Sequence, residues 1–144
     1  MIVSQILKSK PDVGVISVTP SSSVTEAAKL LSKHRIGTVV VSKDGTSLDG
    51  ILSERDIVRE LGKRGTGCLS DPVSALMTSN LVTCSPTNSA LEVLEMMTEG
   101  RFRHLPVMDD GKMVGLISIG DAVKGRLSQL AMEKESLEGM IMGH

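Results

Sequence analysis

An internal repeat constrains what this chain can fold into more tightly than any single motif does. Pro20-Ser-Ser-Ser-Val-Thr-Glu26-Ala-Ala superposes on Pro86-Thr-Asn-Ser-Ala-Leu-Glu92-Val-Leu at an offset of 66 residues. At the same offset His34-Arg35-Ile-Gly-Thr-Val-Val-Val41 meets Gly100-Arg101-Phe-Arg-His-Leu-Pro-Val107, and Asp44-Gly45 meets Asp110-Gly111. After one extra residue in the first copy, Gly50-Ile-Leu-Ser53-Glu-Arg-Asp56 matches Gly115-Leu-Ile-Ser118-Ile-Gly-Asp121. Any fold for the chain therefore has two like halves, and 144 residues suffice for one compact domain or two very small ones without disulfide or metal staples.

Each copy reads as strand, helix, strand, strand, helix. Val15 to Val18 is a short apolar strand, and Ser23 caps a helix in which Val24, Ala27, Ala28 and Leu31 recur at helical spacing. Thr38 to Val41 is a β-branched run, and Lys43-Asp44-Gly45 predicts a hairpin turn into a strand around Leu48 to Leu52. The second helix starts at Ser53 and ends at Leu61-Gly62, and residues from Gly65 to Pro72 read as a flexible connector. A unit of this size cannot enclose its own core. The expected fold is thus α/β, two pseudo-symmetric β-α-β-β-α units packed through their sheets, with an added C-terminal helix. The boundaries are 1–65 for the first repeat, 66–74 for a linker, 75–126 for the second repeat, and 127–144 for the terminal helix and tail. In that last segment Val123, Leu127, Leu130, Lys134, Leu137 and Ile141 are spaced 4, 3, 4, 3 and 4, a heptad seam with one Lys on it. Two readings of the seam stand, a helix folded back on its own domain and a dimer-forming helix. Gly125 and Gly139 weaken either by about 1 kcal/mol each if they lie in the helix interior.

Composition removes several functions. Sixteen Lys plus Arg against seventeen Asp plus Glu leave a net charge of −1, so no general basic field holds nucleic acid or an anionic membrane. Phe102 is the sole aromatic residue, which removes the platforms on which single-stranded bases stack. The N-terminus lacks the pattern of a signal peptide and nothing approaches a bilayer-spanning run, so the protein reads as cytoplasmic. Cys68 and Cys84 show no CxxC spacing and read as reduced thiols, Cys84 buried and Cys68 in a loop. No metal-ligand cluster, Walker loop, HExxH or nucleophile elbow is present, and neither Ser53 nor Ser118 has a base beside it other than Asp. An enzyme is not expected, and no cofactor is required.

The repeated G-h-h-S-x-x-D motif admits two readings. Ser followed three residues later by an acid is a capping box, which satisfies helix N-terminal N–H groups. The same geometry also suits a ligand: a phosphate on the helix N-terminus with the Ser hydroxyl as an added donor, and a ribose diol on the Asp carboxylate. Phosphate at Ser and sugar at Asp describe a nucleotide. Arg101 and Arg103 are either phosphate cations or solvated surface residues, His104 either a ligand contact or an interface residue. His34 belongs with a helix C-terminus and His144 with a tail.

These residues, together with Val24-x-x-Ala27 and Met96-Met-Thr-Glu-Gly-Arg-Phe-Arg-His-Leu-Pro-Val107, resemble the cystathionine β-synthase (CBS) domain. The chain resembles one tandem pair, or Bateman module, of the stand-alone bacterial type, from about Met1 to Arg126. The resemblance implies two clefts between the repeats that sense adenine nucleotides, with AMP, ADP, ATP, NAD(H) and S-adenosylmethionine as candidates. It implies that the motif of one repeat is completed by strand residues of the other. Cleft one would hold Ser118 and Asp121 with Gly14, Val15, Ile16, Ile36, Gly37 and Thr38. Cleft two would hold Ser53 and Asp56 with Asn80, Leu81, Val82, Arg103, His104 and Leu105, and Arg55 would join Arg103 and His104 as cations there. Aliphatic residues would sandwich the adenine, which agrees with the lack of aromatics, and cleft two would favour the more negative ligand. The resemblance further implies a flat, disc-like homodimer and a regulated partner protein that reads a ligand-dependent change in the angle between the repeats. The alternative is a ligand-free dimerisation or docking module.

Overall fold

The structure, a computed structural model, describes residues 1–11 and 14–141. In chain order the elements are α1 (Val3–Ser9), β1 (Ser17–Val18), α2 (Val24–His34), β2 (Thr38–Val41), β3 (Gly50–Ser53) and α3 (Glu54–Arg64), then α4 (Ala90–Gly100), β4 (His104–Asp109), β5 (Lys112–Ser118) and α5 (Ile119–Ile141). Two short 3-10 turns, Gly65–Ser70 and Val73–Ala75, lie between α3 and α4. The strand and helix order expected from the repeat is present in the first copy, the second copy lacks its first strand, and the expected tail residue His144 lies outside the described residues.

In the first repeat β1 runs parallel to β2, with Ser17 opposite Val40, and β2 runs antiparallel to β3, with Thr38 opposite Ser53 and Val41 opposite Gly50. All four residues of β2 are buried, as an unbroken β-branched run predicts. In the second repeat β4 and β5 form a hairpin across Asp110-Gly111, both at positive φ, the conformation that an Asp-Gly turn favours. The counterpart of β1 shrinks there to a single bridge between Cys84 and Val107. The cause is one residue. Val40 donates its N–H to the Ile16 carbonyl at 3.1 Å, whereas the matching position is Pro106, which has no N–H to donate.

Four local expectations are corrected. The first strand spans Ser17–Val18, not Val15 to Val18. The first hairpin is a longer loop, because Asp44 Oδ1 accepts from the Ser47 N–H at 2.7 Å and the Thr46 N–H at 2.9 Å, closing a local turn that delays the next strand to Gly50. Those bonds also hold the Asp44 carboxyl far below the usual carboxylate range. The helix expected to stop at Gly62 continues to Arg64, where Gly65 at φ +71° caps it. Gly65 to Pro72 is no flexible connector: it is wound into a 3-10 turn that places Cys68 at zero exposure, so Cys68 is buried like Cys84.

The compact units cut across the contiguous boundaries. One comprises Met1–Asp12, Val82–Met108 and Gly115–His144, the other Val13–Leu81 and Asp109–Val114. Matched hydrogen bonds explain the interleaving. In the first unit Val3 N–H donates to Asn88 O at 2.8 Å, Ser4 N–H to Pro86 O at 2.9 Å, and Ala90 N–H to Met1 O at 3.0 Å. In the second, Val73 N–H donates to Ser22 O at 2.7 Å, Ser74 N–H to Pro20 O at 3.1 Å, and Val24 N–H to Asp71 O at 2.9 Å. The segment that begins each repeat thus docks on the other repeat's first helix. Each carries its apolar residues into that core, Val3 and Ile6 in one unit and Val73 and Leu76 in the other.

Candidate functional site

Both S-x-x-D turns form where a strand passes directly into a helix. β3 ends at Ser53, whose extended backbone (φ −103°, ψ 160°) serves as N-cap of α3, and β5 runs in the same way through Ser118 into α5. The first helical N–H of each is taken by the residue just before the neighbouring strand of its own repeat: Glu54 N–H donates to Gly37 O and Ile119 N–H to Arg103 O, both at 2.9 Å. The third is taken by the cap, since Asp56 N–H donates to Ser53 Oγ at 3.2 Å and Asp121 N–H to Ser118 Oγ at 3.1 Å. Each carboxylate returns the bond, Asp56 Oδ2 to Ser53 N–H and Asp121 Oδ2 to Ser118 N–H, both at 2.9 Å. The capping box is therefore real in both copies.

The copies differ in what else the carboxylate meets. Asp56 is buried, and both its oxygens are bonded: Ser53 Oγ donates to Oδ2 at 3.0 Å and Arg59 Nη2 to Oδ1 at 2.8 Å. Asp121 is half-buried, and its hydrogen bonds from Ser118 N–H and from Lys10 Nζ, the latter at 2.8 Å, both fall on Oδ2. Among the described residues, Asp121 Oδ1 accepts no hydrogen bond. Lys10 is anchored as well to Leu116 O at 3.0 Å. Burial alone would raise the Asp121 pKa. The Lys10 hydrogen bond and the Ser118 N–H and hydroxyl outweigh it, so the carboxyl sits below its ordinary value and the group is an ionised acceptor at neutral pH.

The structure gathers the expected residues repeat by repeat. Ser53, Asp56, Gly37 and Thr38 meet at one end of the first sheet, where Ser53 pairs with Thr38 and the Ile16 carbonyl joins β2. Val15, Ile16, Ile36 and Gly37 are half-buried there, Thr38 is buried, and Gly14 and Arg55 are exposed. Asn80 is exposed and Leu81 half-buried in the same unit. In the other unit Ser118 and Asp121 lie beside Arg103, with Arg103 and Val82 exposed and His104 half-buried. Leu105, expected against the adenine, is a correction: it is at zero exposure inside its own unit's core, on the face of β4 that packs with Val107 and Ile117. Arg101 is exposed in the left-handed conformation that ends α4, and Arg35 ends α2 in the same way, following His34 in the last helical turn.

A cavity of about 470 Å³ opens between α2 and α3, floored by Ala28, Leu31 and Ile57 and rimmed by Arg35 and Glu54. Of the expected ligand residues it reaches only Ile36 and Gly37, and it includes no Ser or Asp of either motif. Among the described residues no group of three His, Cys, Asp or Glu is placed to hold a metal, and no helix is long and apolar enough to cross a membrane. Sequence reasoning missed Lys10 and Arg59, the cations on the two motif carboxylates. A signal for Lys10 is present: Val3-Ser-Gln-Ile-Leu7 matches Val73-Ser-Ala-Leu-Met77, a second self-similarity that places α1 against a repeat instead of leaving it as a lead-in.

Comparison with known proteins is consistent with this architecture. The CBS domain profile matches residues 3–63 and 73–128. The crystal structure of a CBS-domain-containing protein from Agrobacterium tumefaciens, ATU1752, is 41% identical and covers 88% of this chain and 99% of its own, with a TM-score of 0.82. The CBS domain pair of MJ0100, in complex with 5′-methylthioadenosine and S-adenosyl-L-methionine, is 28% identical over 93% of this chain and 98% of its own, with a TM-score of 0.73. CBSX2 of Arabidopsis thaliana, in complex with AMP, is 28% identical over 88% of this chain and 96% of its own, also with a TM-score of 0.73. Two profile matches, the paired S-x-x-D turns and the shared fold lead to one conclusion: this chain belongs to the CBS domain family, as a tandem pair.

Proposed function

We propose that the chain is a regulatory module that binds an adenine nucleoside or nucleotide at the Ser118–Asp121 turn, with Asp121 as the carboxylate that reads the ribose hydroxyls. The observation that carries this reading is the asymmetry between the motifs. Asp121 is ionised and half-buried, and among the described residues its Oδ1 accepts no hydrogen bond, so a vicinal diol finds an acceptor without breaking the capping box. Relatives with the same fold bind AMP in one case and S-adenosyl-L-methionine with methylthioadenosine in the other, which supports the shared adenosine moiety as the recognised part. Ligand binding regulates by favouring one conformation of the module over another, to the extent that the two differ in affinity.

Titration calorimetry with AMP, ATP, NADH and S-adenosylmethionine tests the proposal. At least one is expected to bind, and Asp121→Ala is expected to weaken it about ten- to a hundredfold, the scale of hydrogen bonds to a charged group. A bound ligand at 100 times its Kd also stabilises by about 2.7 kcal/mol in thermal denaturation. No heat and no thermal shift with any of the four would leave the ligand-free docking module. For the first motif a structural reading has its own support, because both oxygens of Asp56 are already bonded within the chain. Asp56→Ala is accordingly expected to lower stability more than it lowers nucleotide affinity.

A further inference from the structure

Lys10 joins two parts of one unit that lie far apart in sequence. Pro11 disfavours helical backbone at the residue before it, so α1 stops at Ser9 and Lys10 is extended (φ −80°, ψ 152°). From there its ammonium donates to Asp121 Oδ2 at 2.8 Å and to Leu116 O at 3.0 Å. The first repeat treats the matching carbonyl differently. Ile51, the counterpart of Leu116, accepts from Thr78 N–H at 2.9 Å and donates to Thr78 O at 3.0 Å, a backbone bridge that needs no side chain. The segment that supplies Thr78 leaves its helical turn after Ala75, whereas α1 stays helical through Ser9, and the Lys10 side chain takes the place of the Thr78 N–H. The cations on the two motif carboxylates differ in the same sense. Arg59 stands on α3 itself, one turn beyond Asp56, so that pair ties the carboxylate to its own helix. Lys10 ends another element, so the second pair ties Asp121 to α1.

We propose that Lys10 is a positioning residue that couples occupancy of the Ser118–Asp121 turn to the docking of α1, so that each tightens the other. The proposal rests on the reading of that turn as a nucleoside site. Lys10 holds Oδ2 and leaves Oδ1 for the diol, since among the described residues Oδ1 accepts no hydrogen bond. In the free chain the pair is partly wet, its side chains 36% and 20% exposed. A nucleoside seated on Oδ1 removes water from the pair, and its hydroxyls replace the water that the carboxylate loses. Two opposite charges 2.8 Å apart then attract more strongly, because the dielectric around them has fallen. Lys10, and with it the end of α1, is held more firmly. Linkage requires the converse by the same factor: a chain whose α1 end is docked binds the nucleoside more tightly than one in which that end has come away.

Titration calorimetry and hydrogen exchange of the full chain test the coupling, with AMP, ATP, NADH and S-adenosylmethionine as probes. A saturating concentration of the probe that binds most tightly is expected to slow exchange of the Leu7 to Lys10 amides about fivefold, the low end of couplings between sites, because the pair is partly open to water. Lys10→Met keeps the apolar stem without the charge. It is expected to raise the Kd by the same factor and to abolish the ligand-dependent protection, and Lys10→Arg is expected to restore both. A role confined to holding Leu116 O would lower the urea midpoint of Lys10→Met and leave its Kd unchanged. A wild-type Kd in Lys10→Met beside a weakened Asp121→Ala, or α1 exchange indifferent to the probe, overturns the coupling and leaves the nucleoside reading standing. Binding of none of the four probes by the wild type overturns both.

Discussion

Asp56 and Asp121 occupy equivalent positions of the repeat, and their difference lies in the cation each meets. Arg59 comes from one turn along the same helix, whereas Lys10 comes from 111 residues away in sequence. The Lys10–Asp121 pair gives the chain a specific acid response. Because the folded pKa of Asp121 is lowered, its stabilisation is fully present above the unfolded value of about 3.9 and is lost as pH falls through the folded pKa. Urea midpoints of wild type and Asp121→Asn are expected to differ by a constant amount above about pH 5 and to converge below about pH 4. The difference is about 1 kcal/mol or less, since the Lys10 side chain is 36% exposed and partly screened. The thiols give a second residue-scale prediction. Burial pushes Cys84 up to about 11 and leaves Cys68 at zero exposure, so at pH 8 neither is expected to react with Ellman's reagent until the chain unfolds. The S-x-x-D spacing was legible in the sequence as a cap and as a sugar site alike. What separates the two readings at each copy is a cation on another segment, which no local spacing encodes.

Among the elements, the helices were easiest to read. Ser23 and Ser89 cap α2 and α4 by accepting from Glu26 N–H and Glu92 N–H at 3.1 and 3.0 Å, and apolar spacing marks the faces that carry Val24, Ala27 and Leu31 into the core. Strand ends were harder, because Asp44 acts through two local backbone hydrogen bonds and Pro106 through one withheld. The glycines opening the motif strands show what else a pattern conceals. A Cβ at Gly50 would stand 2.8 Å from the backbone Thr78 O, which its pairing with Ile51 holds in place, whereas a Cβ at Gly115 would meet the mobile end of Leu7 at 2.9 Å. Gly50→Ala is therefore expected to destabilise by about 1–3 kcal/mol and Gly115→Ala by less, as read from denaturant midpoints. Gly125, inside α5 as the sequence reading supposed, has a second role. A sequence reading counts it as a weak point of the helix, yet its missing side chain is what admits Ile6.

Across the whole molecule the reciprocal docking of segment on repeat decides where stability resides. Ile6 is 3% exposed and lies with Val3 in a core whose other buried residues fall between Cys84 and Ala122, so Ile6→Ala is expected to cost about 2–5 kcal/mol. Hydrogen exchange is expected to show that loss in α4, β4 and β5 while β2 and β3 keep their protection, and an equal loss in both sets would contradict the division into units. The amino-acid sequence by itself determined that there are two copies, that each runs helix, strand, strand, helix after its first extended segment, and where each S-x-x-D turn falls, because periodicity, caps and turn residues act within a few positions of one another. Tertiary structure alone decided that α1 belongs with the second repeat, that Cys68 is buried, that Leu105 is core, and that both oxygens of Asp56 are bonded whereas, among the described residues, Oδ1 of Asp121 accepts no hydrogen bond. Each of those depends on burial or a hydrogen bond between residues distant along the chain, and such pairings exist only once the chain has closed on itself.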